Sequence, residues 1–195
     1  SHHLNIRSSS ADFLCKAKLI KGCTQWSLGN SARNQYKHQF ESIFWSLPKT
    51  ISVLLTIGEL DCRLDSGIIK HKNNFSEKEI EEILLTTIEN YLFYIVKNNS
   101  DCQHSIIIQG VPCSNIDTET LSGKDVTQLT EVIKKFNCEL KNKSKKKGFE
   151  FLDLHKLTYR GDGISDTVWH IDSIHLSPKV FLEAWSRYFS ECHIR

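Results

Sequence analysis

The stretch ISVLLTIGELDCR (51–63) decides how the rest of the sequence is interpreted. Its first half is a continuous apolar run that ends at Gly58, which is typical of a strand buried on both faces of a parallel sheet. Three charged residues follow at once: Glu59, Asp61 and Arg63. Because buried charges are costly unless they pair or contact a ligand, this order predicts a functional loop at the carboxyl end of the strand. An ion pair that satisfies itself is the alternative.

Other segments repeat the apolar pattern at a distance. We predict strands over 104–112 and 148–157, and a weaker strand over 16–22. Apolar residues at helical spacing predict helices over 9–17, 31–45, 80–92, 127–141 and 177–189. Strands that alternate with helices predict a parallel sheet in a three-layer α/β sandwich. We expect one domain over residues 1–195.

Ligands of such folds bind at the carboxyl ends of the strands. The loops at this edge are predicted over 22–30, 58–64, 110–115 and 161–176. The last of them contains DSIHLSP, in which Asp172 and His175 lie three residues apart. A histidine can act as general base near neutral pH, and a carboxylate can fix its tautomer. An aspartate helix cap beside a surface histidine is the alternative.

The composition narrows the possible partners. The 195 residues carry a formal net charge of +2, and the pI is about 8.1, so overall charge does not favour binding to nucleic acid. The one dense basic run, 141–147, is interpreted as a solvated helix end or loop. Since no apolar run approaches the roughly 20 residues that span a bilayer, we also expect no membrane partner.

The seven cysteines are irregularly spaced, and no C-x-x-C occurs. An odd number without such spacing argues against both a disulfide framework and a zinc site. We therefore expect free thiols in a reducing compartment, a cytoplasmic location, no metal and no cofactor. The oligomeric state is not predicted.

These segments, in this order, resemble the SGNH (GDSL-type) hydrolases. The Asp-x-x-His block of that family matches Asp172 and His175, its glycine block matches Gly22, and its Gly-x-Asn-Asp block falls at Gly58. The resemblance covers nearly the whole chain and implies a flavodoxin-like topology. It also implies a serine esterase. The polar segment after Gly22 can by its composition aim backbone N–H groups at a developing oxyanion, and a plain polar loop is the alternative.

A subgroup with Gly-Ala-Thr-Ala-x-Gly-Leu-x-Asn and Gly-Glu-x-Asp-Cys segments is more similar. This chain has GCTQWSLGN (22–30) and GELDC (58–62) at those places. It departs from many SGNH enzymes at Leu60, where they have an asparagine that donates to the oxyanion. The first block of the subgroup reads Gly-Asp-Ser-His, and the chain begins Ser1-His2 at the matching distance. The nucleophile would then be Ser1, and the first strand would lie upstream of residue 1; a tag remnant is the alternative.

The mechanism that the resemblance implies is acyl transfer. Ser1 Oγ would attack an ester carbonyl, His175 would take the proton, and Asp172 would orient the imidazole. Gly22 and the Ser1 backbone N–H would hold the oxyanion. The resemblance assigns the substrate pocket to Gly58, Glu59, Asp61 and Arg63. The implied substrate is an ester, such as an O-acetyl ester, of a small molecule or saccharide.

Several other functions remain open. A sugar hydroxyl in place of water would make the same site an O-acyltransferase, and the scaffold could also serve as a non-catalytic binding module. A cysteine hydrolase would use Cys23 or Cys62. A metal-dependent hydrolase would draw on carboxylate and imidazole ligands, namely Asp61, His170, Asp172 and His175.

Overall fold

A computed structural model describes residues 3–7, 12–75 and 78–192 of the chain. Its first elements are two antiparallel strands, β1 (His3–Arg7) and β2 (Asp12–Lys16), which pair with each other. The helix predicted over 9–17 and the strand predicted over 16–22 are therefore wrong. The backbone of 12–16 pairs with β1, and this pairing overrides the weak helical pattern of the segment. The pairing depends on a second segment, so the pattern of 12–16 alone does not predict it.

The main sheet has three parallel strands in the described part of the chain. They are β3 (Ser52–Leu55), β4 (Ser105–Gln109) and β5 (Glu150–Leu152), with β4 in the centre. The strands predicted over 51–58, 104–112 and 148–157 are confirmed, although each is shorter than predicted. The helices are α1 (Gln25–Gly29), α2 (Gln35–Trp45), α3 (Ile68–Phe75), α4 (Ile80–Asn99), α5 (Gly123–Lys146), α6 (Leu154–Thr158) and α7 (Pro178–Cys192).

Side-chain caps explain where the helices begin. The helix predicted over 31–45 starts only after Asn34, whose side chain accepts the N–H of Lys37. The helix predicted over 127–141 starts earlier, because Ser122 accepts the N–H of a residue in the first turn of α5. Such caps satisfy backbone donors that have no partner inside the helix.

Both faces of the parallel sheet are covered. In β4, Ile106 and Ile108 belong to a cluster with residues of α4 and α5, whereas Ile107 packs with residues of α7. The residues of β3 and β5 divide in the same way: Val53, Leu55 and Phe151 on the first face, Leu54 and Leu152 on the second. Successive strand side chains point to opposite faces, so continuous apolar runs are what two covered faces require. The predicted three-layer α/β sandwich is confirmed.

The lysine-rich run 141–147 forms the end of α5, as interpreted from the sequence. Two of its lysines make ion pairs, Lys141 with Asp153 and Lys143 with Glu89. Positive charge at a helix C-terminus is favourable because the helix dipole is negative there. In the described residues no helix has both the length and the apolar character needed to cross a bilayer. The single domain over 1–195 and the strand upstream of residue 1 stay predictions.

Candidate active site

Gly58 lies where the chain leaves β3 and passes close to two other elements. Its φ is +147°, a backbone conformation that residues with a side chain rarely adopt. A Cβ atom at this position would lie 3.0 Å from Gln25 Nε2 and 3.2 Å from Val111 Cγ2. The glycine therefore allows α1 and the loop after β4 to approach the end of β3. The expected position of 58–63 at the carboxyl end of a strand is confirmed.

Asp61 holds the first turn of α1. Its carboxylate accepts the backbone N–H of Gln25 at 2.7 Å and that of Trp26 at 3.0 Å, and the residue is only 2% exposed. Burial raises the pKa of this carboxyl to about 6, and the two backbone N–H groups partly oppose that rise. The carboxylate is thus directed at the scaffold, and the predicted contact of Asp61 with substrate stays untested.

The segment 22–30, predicted as a polar loop, contains the helix α1. Thr24 caps this helix and accepts the N–H of Ser27 at 2.9 Å. Together with the two bonds to Asp61, this cap occupies the N–H groups at the start of α1, so they are not available to an oxyanion. Gly22 lies in the exposed turn just before, with φ +76°. Its predicted role at the oxyanion stays a prediction.

Glu59 and Arg63 form a bidentate ion pair at the surface of the same loop. Arg63 Nε lies 2.7 Å from Oε1 of the glutamate, and Nη2 lies 2.8 Å from Oε2. This contact is the ion pair that the sequence leaves open as the alternative to a contact with substrate. The two side chains are partly exposed, so the guanidinium can be reached from solvent.

Asp172 and His175 are in contact, as predicted from their spacing. His175 Nδ1 lies 2.7 Å from Asp172 Oδ2, while Oδ1 accepts the backbone N–H groups of His175 at 2.6 Å and Ile174 at 2.8 Å. These bonds, that of the His175 backbone first, hold the pKa of Asp172 well below its usual range. The imidazole is 74% exposed. The contact through Nδ1 leaves Nε2 as the nitrogen that can accept a proton from a nucleophile.

A residue of the neighbouring loop supports this turn. Asn115, which follows β4, donates from Nδ2 to the backbone oxygen of Asp172 at 2.9 Å. The loop 110–115 is predicted at the ligand-binding edge from its place after a strand, but the prediction does not single out Asn115. A polar amide at the carboxyl end of the central strand was the available signal.

The predicted site residues lie in two separate groups. Glu59, Asp61 and Arg63 lie with α1, and Asp172 and His175 lie with Asn115. Across the described chain, no hydrogen bond or ion pair joins one group to the other. Ser1 lies outside the described residues, so its predicted contact with His175 is untested.

The thiols near the candidate site are poor nucleophiles. Burial raises the pKa of Cys23 to about 11 and raises that of Cys62, which is fully buried, well above its usual value. Since the thiolate is the reactive form, a cysteine hydrolase built on either residue is disfavoured.

Two of the four candidate metal ligands contact protein groups outside the set. Asp61 faces α1, and His170 Nδ1 lies 3.0 Å from Ser165 Oγ. Among residues 3–7, 12–75 and 78–192, no three His, Cys, Asp or Glu side chains are grouped so that they could hold a metal ion.

Comparisons with known proteins agree on the fold. No protein-family model and no curated protein matches the sequence. Among solved structures, the chain is similar to a candidate acylhydrolase of Bacteroides fragilis, with TM-score 0.57, 13% identity, and coverage of 88% of this chain and 70% of that one. It is also similar to a GDSL-like lipase of Bacteroides thetaiotaomicron, with TM-score 0.57, 11% identity, and coverage of 88% and 71%. The chain therefore shares the fold of these two solved structures.

Proposed function

We propose that the protein is a serine esterase or acyl hydrolase. The observation that carries the proposal is the Asp172–His175 contact at 2.7 Å, on an exposed turn of an SGNH/GDSL-type fold. An ionised carboxylate that bonds Nδ1 directs Nε2 outward and stabilises the imidazolium that forms when the ring takes a proton. An unactivated hydroxyl is a weak nucleophile, so this pair supplies what a serine needs.

In the proposed reaction Ser1 is the nucleophile. As Ser1 Oγ bonds to the ester carbonyl carbon, His175 Nε2 takes the hydroxyl proton and then gives it to the leaving alcohol. Water attacks the acyl-enzyme while His175 takes a proton from it, and His175 then gives that proton to Ser1 Oγ as the bond to the acyl group breaks and the acid leaves. Gly22 and the Ser1 backbone N–H are the proposed oxyanion donors, since the side chain of Leu60 has no donor group.

The substrate we propose is an ester of a small molecule or a saccharide. On binding, the Arg63 guanidinium would release one oxygen of Glu59 and bond a polar group of the alcohol part of the ester instead. If a sugar hydroxyl replaces water in the second step, the same residues catalyse O-acyl transfer. A cytoplasmic location is part of the proposal, and the free thiols of Cys15, Cys23, Cys62, Cys102, Cys113 and Cys138 support it.

The test uses the full-length protein, including any residues before Ser1. We expect covalent labelling by a fluorophosphonate and hydrolysis of p-nitrophenyl esters. His175→Ala should lower kcat/KM about 10³-fold or more, because the serine loses its base. His38→Ala, which removes another exposed imidazole, is the matched control and should leave the rate unchanged.

Two results would contradict the proposal. A folded protein that shows neither labelling nor turnover would favour a non-catalytic binding module. Turnover that a chelator abolishes would favour the metal-dependent alternative.

A further inference from the structure

The turn that carries Asp172 and His175 also exposes three apolar side chains. Val168 is 61% exposed, Ile171 is 70% exposed and Ile174 is 43% exposed. We call these three residues the apolar rim. Single exposed apolar residues are common on protein surfaces, but a group of them within seven residues, beside a charged pair, is typical of a binding surface.

The backbone holds the apolar rim in this position. Ile171 N donates to the oxygen of His175 at 2.8 Å, and Ile174 N donates to the carboxylate of Asp172. At the base of the turn, Ser177 N donates to the oxygen of Trp169 at 2.9 Å. These hydrogen bonds fix the backbone of the turn, and with this backbone the rim side chains lie at the surface.

Other apolar residues of the same segment face the interior. Trp169 and Leu176 pack against the cluster that joins the sheet to α7. The segment therefore divides its apolar side chains between the core and the surface. The exposed rim residues are thus distinct from the residues of the same segment that pack against the core.

We propose that the apolar rim binds the acyl chain of the substrate, and that this chain is longer than acetyl. The inference rests on the proposed function, because it requires an ester that binds at His175, in the same turn as the rim. The two halves of an ester would meet two different surfaces. The charged Glu59–Arg63 pair suits a polar alcohol, whereas the rim presents no polar side chain of its own. The single methyl group of an acetate is too small to cover three branched side chains.

The test compares p-nitrophenyl acetate, butyrate and hexanoate, each below its critical micelle concentration, on the full-length protein. Partial burial of each added methylene should raise kcat/KM by about twofold, so hexanoate, with four more methylenes, should exceed acetate by about 16-fold. Replacing all three rim residues by serine should reduce that ratio severalfold. Ile171→Ser alone should reduce it less and guards against misfolding of the triple variant. Leu182→Ser, at an exposed position of α7, is the matched control and should preserve the ratio.

The outcomes separate this inference from the function on which it rests. A hexanoate preference that the rim variants reduce supports the proposal. Turnover that depends on His175 but is flat or falls with chain length overturns the rim and leaves the esterase intact. Equal loss on all three esters in the rim variants also overturns it, because the rim then has no role in chain selection. Absence of both turnover and fluorophosphonate labelling overturns the two together.

Discussion

Two aspartates in loops of the same protein show how burial decides what a carboxylate does. Asp61 and Asp172 each accept two backbone N–H groups. The donors to Asp61 lie 36 and 35 residues away, whereas those to Asp172 lie in its own turn, two and three residues away. The pKa of the buried Asp61 is raised, and that of Asp172 is lowered.

The difference shows that hydrogen bonds alone do not assign a role. Two N–H donors stabilise the ionised form in both loops, but at Asp61 the loss of hydration outweighs them. Asp61 ties distant parts of the chain together. Asp172 keeps its charge in contact with water and bonds an imidazole that is exposed to solvent.

Removing each carboxylate gives the largest expected contrast. Asp61→Ala should lower the free energy of unfolding by about 3 kcal/mol, because two backbone N–H groups of α1 are left buried without an acceptor. Asp172→Ala should leave the urea midpoint nearly unchanged but reduce esterase activity. Urea unfolding followed by circular dichroism measures the first effect, and ester hydrolysis measures the second. Equal destabilisation by the two variants would break the comparison.

The pH dependence of stability should sharpen the comparison of the two aspartates. The pKa of Asp61 is near 3.8 in the unfolded chain and about 6 in the folded protein, so between these values the folded state binds more protons. The contribution of Asp61 to stability is therefore present at low pH and falls as pH rises through this window, by up to about 1.4 kcal/mol per unit.

Asp61→Asn isolates this contribution from the other carboxyl groups. From pH 6.5 to pH 4.5 the stability of the unmodified protein should rise relative to that of Asp61→Asn. The check is urea unfolding of both proteins at several pH values in this range. A constant difference between the two would show that Asp61 titrates normally.

The smallest expected effect concerns the support of the exposed carboxylate. Asn115→Ala removes the donor to the Asp172 backbone oxygen and should lower kcat severalfold with little change in KM, because the imidazole is held less firmly. The unfolding midpoint should hardly move. Asn142→Ala, at an exposed position of α5, is the matched control. A loss of stability without a loss of kcat would make Asn115 a structural residue rather than a positioning residue.

The sequence predicts the exposed loop better than the buried one. Asp172 and His175 are three residues apart, so their contact follows from local spacing. The strands β3 and β4 are likewise predicted from their own apolar runs. The contact between Asp61 and α1 depends on where two distant segments meet. For the same reason the sequence predicts a loop where α1 lies, since its five residues are stabilised by a cap and by a carboxylate from another element. The β1–β2 pair likewise depends on a partner strand.

The closed turn around His175 also bears on how the protein can evolve. Its hydrogen bonds to Ile171, Ile174 and Ser177 use backbone N–H groups, which every residue except proline supplies. The side chains at positions 168, 171 and 174 can therefore vary with little effect on stability, whereas a side chain at Gly58 would be strained by its φ and would crowd its neighbours. A lineage can change the surface beside its imidazole by single substitutions, without first acquiring compensating mutations in the core.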